Sequence, residues 1–308
     1  MRLTCRRRLP ALLLLLAVLA LLAACARTPP AAGDGGDAAS ARADTPTHAI
    51  LRLRDRLLAH DAPGFARAAL PPALHAQVAA AWRDGRSRWP LDELPLDAKL
   101  PALLAALQAP GAETALLAGF RRQFAGADRD IDQAVRTLVV FAGEYVQAQA
   151  DTPPHEREHT LLVLAALGEW ALAAPLSDPA RARRTLDALA AAARRSGIPA
   201  ARGQAAFAAL GMQASLQRLS PFLATLLAQL RTQYGLDLDA SLRGLRVQLL
   251  EQTGDQARVR LRYPLGPREI DAVVPMVRID GAWYVADYVR RARASLEGAG
   301  GGGRAASP

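Results

Sequence analysis

The sequence predicts an α+β chain that is mainly α: a helical bundle followed by a C-terminal four-stranded antiparallel sheet. Three observations carry that reading. Apolar residues recur at three- and four-residue spacing from about residue 47 to 241. From about residue 242 the spacing changes to strict alternation. The chain of 308 residues, 51% hydrophobic and 22% charged, is long enough to bury a sizeable core and too apolar for wholesale disorder.

The helical stretch resolves into stripes. Ile50, Leu51, Leu53, Leu57 and Leu58 form one, Leu103, Leu104 and Leu107 a second, and Leu116, Leu117, Phe120 and Phe124 a third. Residues 130–150 read as a long helix with Ile131, Val135, Leu138, Val139 and Tyr145 on one face. Thr152-Pro153-Pro154 opens the next helix, because proline is tolerated in a first turn. Its stretch 160–174 is so apolar that it is expected to be the central core helix, with Glu169 at a rim or paired with an Arg. Ser177-Asp178-Pro179 opens another helix and Gly197-Ile198-Pro199 closes it. A last helix is expected over 215–234, stopped by Gly235. No period of 20–50 residues repeats, which argues against a solenoid.

In the sheet region, 242–296, Leu245, Val247, Val259, Leu261 and Tyr263 are expected on the dry face. Arg246, Arg258, Arg260 and Arg262 fall on the wet one. A third strand is expected over 269–279 and a fourth over 282–289, joined at Asp280-Gly281, a strong two-residue hairpin signal. The stretches Gly254 to Val259 and Asp280 to Val285 resemble the C-terminal strands of nuclear transport factor two-like and related lipoprotein domains. That resemblance implies a curved sheet packed on helices, over about 50 residues. The Gly-rich end, 297–308, reads as a disordered tail, and its Gly298, Gly300 and Gly303 are low complexity rather than a nucleotide fingerprint, since no helix follows.

Residues 1–24 place Arg2, Arg6, Arg7 and Arg8 before an apolar run of 11–24, too short to span a bilayer and shaped like an export signal. Leu22-Ala23-Ala24-Cys25 resembles the lipobox of bacterial lipoproteins. The resemblance implies cleavage before Cys25 and lipidation of its thiol, and Ala26 implies the outer membrane, on its periplasmic face. Removing that segment would lower the net charge from +9 to +5. Residues 25–46 then form a lipidated, disordered tether that holds the folded part about 25 Å from the bilayer. All basic residues but Lys99 are Arg, a skew that reads as compositional. An exported chain is not expected to meet nucleic acid, despite its basic charge. Its expected partners are the membrane, through the anchor, and an envelope protein.

His155-Glu156-Arg157-Glu158-His159 matches H-E-x-x-H and resembles the zinc-peptidase helix in its three named residues. His155 and His159 would share a helix face and hold zinc, with Glu156 as general base. Against this, the x positions are charged, the motif sits in a first helical turn, and no third ligand is within reach. The bland alternative is a solvated helix start. Asp128, Asp130 and Asp132 begin like a calcium loop, but Gln133 and Val139 stand where it needs Gly and Glu, so helix-starting acids are expected. The Arg246, Arg258, Arg260, Arg262 face could bind anions or simply be solvated. The leading expectation is a lipid-anchored envelope protein with a binding or scaffolding role and no cofactor. A zinc-dependent hydrolase is one alternative. A carrier of a small apolar ligand, in a cavity lined by Trp283, Tyr263 or Tyr288, is the other.

Overall fold

A computed structural model describes residues 45–93 and 99–297. The expected signal segment, the expected lipidation site Cys25, the expected tether up to residue 44 and the expected tail from 298 lie outside the described residues. The fold is α+β and mainly α, with its antiparallel sheet at the C-terminal end. In chain order the helices are α1 (Pro46–Leu58), α2 (Ala62–Ala69), α3 (Pro72–Arg83), α4 (Leu100–Gln108), α5 (Ala112–Gln123) and α6 (Asp128–Ala148). Then come α7 (Pro154–Ala173), α8 (Pro179–Arg195), α9 (Gln204–Tyr234) and α10 (Leu238–Arg243). Strands β1 (Arg246–Thr253), β2 (Gln256–Leu265), β3 (Arg268–Ile279) and β4 (Ala282–Val285) follow, and α11 (Ala286–Glu297) closes the fold.

The central helix is α9, not the apolar stretch 160–174 within α7. Leu216, Leu219, Phe222, Leu223, Leu226 and Leu230 are all buried along α9, which packs on α2, α3 and α8. Helix α9 starts earlier than the pattern suggested because Gly211, at φ 74°, bends it without ending it. The Phe207 carbonyl at this bend accepts from Trp82 Nε1 at 3.0 Å and Ser215 Oγ at 3.2 Å, so the kink leaves it satisfied. In α7, by contrast, only Ala166, Gly168, Trp170 and Ala171 are buried. Glu169 lies at the rim and pairs with Arg268. No single helix among the described residues is long and apolar enough to cross a membrane.

The sheet is a meander in the order β1-β2-β3-β4, antiparallel throughout. Its register opposes Val247 to Leu261, Val259 to Val274 and Leu261 to Ala272. Ala257, Val259, Ile270, Ala272, Met276, Trp283 and Val285 are buried on the face the alternation marked as dry. Leu245, Val247, Leu261 and Tyr263 are half-buried there. Helices α1, α7, α10 and α11 pack on the sheet. The Asp280-Gly281 turn has positive φ at both positions, 50° and 81°, as a tight two-residue hairpin requires.

The fourth strand is shorter than the expected 282–289. It stops at Val285, and α11 takes the residues that follow. Val285, Val289, Ala292 and Leu296 recur at helical spacing, and Val289 and Ala292 are buried. Alternation up to residue 289 fits strand and helix equally; only the residues beyond it distinguish the two.

Candidate functional site

Two places on the molecule merit attention: the polar cluster around the H-E-x-x-H motif, and the outer face of the α6–α7 hairpin.

Helix α7 opens at Pro153-Pro154 with no side-chain cap. Arg157, one of the charged x positions, turns back and donates to the carbonyls of Gln149 and Thr152. It thereby serves the end of α6, where orphan carbonyls and the negative dipole end attract a cation. The motif is therefore only partly a solvated helix start: Glu158 is exposed, while His155, Glu156 and His159 are half-buried against other elements. His155 Nε2 lies 2.8 Å from Asp287 Oδ2 at the start of α11. Glu156 Oε1 accepts from Arg290 at 2.6 Å and stands 3.7 Å from Arg291. His159 Nε2 lies 2.7 Å from the Tyr263 hydroxyl on β2. Glu93, in the short 3-10 turn Leu91–Glu93, accepts from Trp89 Nε1 at 3.0 Å and faces Arg291 at 2.9 Å.

Burial sets the electrostatics. It lowers the pKa of His159, with His155 adding to the effect, so the imidazole is held neutral. Burial likewise raises the Tyr263 phenol, which keeps its proton. Glu93 is pushed up to about 7, chiefly by burial and against the pull of Arg291.

This geometry bears directly on the zinc reading. Ligand atoms of His155, Glu156 and Asp287 lie within 4.8 Å of one another. Asp287 is thus the third group that sequence reasoning could not supply, because it lies 132 residues away. His159, however, is not among the converging atoms. Arg290 already contacts both carboxylates, Glu156 at 2.6 Å and Asp287 at 3.5 Å. The charge a metal would supply is already present as guanidinium, and these residues do not fit a zinc centre. What they make is a network that ties the 91–93 turn, α7 and α11 together.

The four Arg of the wet face are all matched with acids. Arg246 pairs with Glu269 at 2.7 Å and Arg258 with Glu251 at 3.2 Å. Arg260 and Arg262 share Asp271 at 2.8 and 2.9 Å. The Asp271 carboxyl is held below its usual range, first by its hydrogen bond from Arg260. Three acids against four Arg leave little field for an anion.

The three aromatics expected around a ligand cavity are engaged elsewhere. Trp283 is in the core, Tyr263 is on His159, and Tyr288 packs edge-on against Phe65. A groove of about 810 Å³ does run between sheet and helix at a different place, with Ala257, Met276, Ile279 and Val289 among its walls and Arg293 at its rim.

Sequence reasoning missed the second place. Helix α6 packs extensively only on α7 among the described elements. The seam is close: a Cβ on Gly168 would stand 2.5 Å from Val139 Cγ2. Beyond Ile131 and Val135 nothing on α6 is fully buried. Tyr145, expected on the buried face, is 62% exposed, with Phe141 at 68% and Val140 at 62%. Leu162 on α7 is also exposed. The signal was present in the run Leu138 to Phe141 and in the stretch 161–168 of α7, where apolar residues are not confined to one face.

No protein-family model, curated protein or solved structure matches this chain.

Proposed function

We propose that this chain is a lipid-anchored cell-envelope protein, held through Cys25 on the periplasmic face of the outer membrane, that acts by binding an envelope protein rather than by catalysis. The observation that carries the reading is the uncovered apolar face of α6. Scattered exposed apolar residues are ordinary, but Val140, Phe141 and Tyr145 share one helix segment and stand well out in solvent. The lipobox-like Leu22-Ala23-Ala24-Cys25 supports the anchor.

Site-specific photo-crosslinking in cells tests the binding role. A photoreactive residue at Phe141 should give a discrete protein adduct, while one at Arg129, nearer the base of the same helix, should not. Absence of an adduct at 141, or the same diffuse pattern at both sites, would sink it. The anchor has its own test. Mass spectrometry should find diacylated or triacylated Cys25 at the mature N-terminus, and an unmodified thiol there would remove the lipoprotein reading.

The groove beside α11 favours a second reading, carriage of a small apolar ligand. Its volume lies in the range of small-molecule sites. Solvent-extracted ligand in protein purified from its own cells, lost on Met276→Arg, would promote it over the first.

A further inference from the structure

Resting on the binding role just proposed, we infer that the outer face of α6 receives an amphipathic helix from another protein, with its apolar stripe on Val140, Phe141 and Tyr145 and Lys or Arg along its flanks. The shape argues for a helix. Helices α6 and α7 lie side by side and present ridges and grooves, which a third helix can enter with its own ridges.

The charges argue for basic flanks. Glu144 lies within the apolar segment itself, Asp151 sits at the hairpin turn, and Glu158 is one turn before Leu162 on α7. None of the three has a cationic partner among the described residues. The nearby Arg157 is turned onto the Gln149 and Thr152 carbonyls, and Arg136 lies a turn below Val140, toward the base. An acidic tip on a chain of net charge +9 is a local reversal of sign. Uncompensated carboxylates around an apolar patch select a basic partner and repel acidic ones.

The same charges argue against two other occupants. A two-fold pairing of this face with a second copy would bring Glu144 toward its own equivalent. A bilayer carrying anionic lipid would repel the tip, because membrane-surface binding draws on Lys and Arg.

The test uses the full lipidated chain in zwitterionic nanodiscs. Two labelled amphipathic helical peptides share one Leu stripe; one has Lys flanks and the other Glu flanks, and binding is read by fluorescence anisotropy. The Lys peptide should bind about five- to tenfold more tightly, the sum expected of a few exposed charge pairs. The double variant Glu144→Gln, Glu158→Gln should erase that preference, and Phe141→Ser with Tyr145→Ser should weaken both peptides. Equal binding, preference for the Glu peptide, or no binding would overturn the inference. So would crosslinking of photoreactive lipid to residues around Phe141 in peptide-free discs, which would assign the face to the bilayer. A protein adduct at Phe141 in cells, with no peptide preference here, would remove only this inference and leave the binding role standing.

Discussion

Helices α9 and α6 are the two longest in the described chain and they live in opposite surroundings. Three other helices pack on α9, and its Leu and Phe residues are sealed. Along most of its length α6 rests on α7 alone, with Phe141 and Tyr145 in solvent. Both sequences are rich in apolar residues, so composition does not separate them. The lesson is that apolar surface beyond what the fold covers points to a second role, and that it is recognised only once the neighbours are known.

Paired substitutions of one residue type should give the largest contrast. Phe222→Ala, at a side chain with no exposure, should cost about 3–5 kcal/mol in chemical denaturation. Phe141→Ala should fall within about 0.5 kcal/mol of zero. Similar losses at both positions would mean that α6 is covered within its own chain.

Next in size is the polar network. Asp287→Ala strands His155 and leaves Arg290 with Glu156 alone, and should cost about 2–3 kcal/mol given partial burial. A chelator should leave Tm unchanged. One equivalent of zinc, lost on His155→Ala together with a fall in Tm, would restore the metal reading.

Glu93 should make stability depend on pH. Its folded pKa, about 7, lies above its ordinary value of 4.5, so between those values the folded state binds more protons than the unfolded chain. Its contribution is full below about pH 4.5 and is lost as pH rises through 7, by about 3 kcal/mol. Glu93→Gln should flatten that part of the stability profile. A profile that keeps its slope would place the proton on another group.

The hairpin seam gives the smallest effect. Gly168→Ala adds a methyl group against Val139 and should cost about 1–2 kcal/mol despite the better helix propensity of Ala. Val139→Ala in the same chain should recover most of it. Failure of the second change to rescue the first would show that α6 and α7 do not meet at this point.

Periodicity carried the helix-then-sheet order and the dry stripe through Val259 and Leu261, and the Asp-Gly pair carried the turn at Asp280-Gly281, because those features are local. The fate of residues 286–289 was not legible, since four residues fit strand and helix alike. The partners of His155 and Glu156 were equally hidden. Asp287 and Arg290 come to the motif only through the packing of α7 and α11 on the sheet, a juxtaposition with no local signal. Helix α9 runs on upstream of the expected start at 215 because the bend at Gly211 does not end it, and its place in the core comes from packing on α2, α3 and α8, which has no local signal.

Hydrogen–deuterium exchange along α6 tests most directly whether its outer face is covered in the cell. In the purified chain, amides from Val140 to Ala148 should exchange well before those of α9, because one neighbouring helix protects them less than three do. In native preparations of the compartment that holds the chain, the proposed partner should slow the same α6 amides markedly while those of α9 stay unchanged. Equal exchange of the α6 tip in both settings would contradict a binding face there.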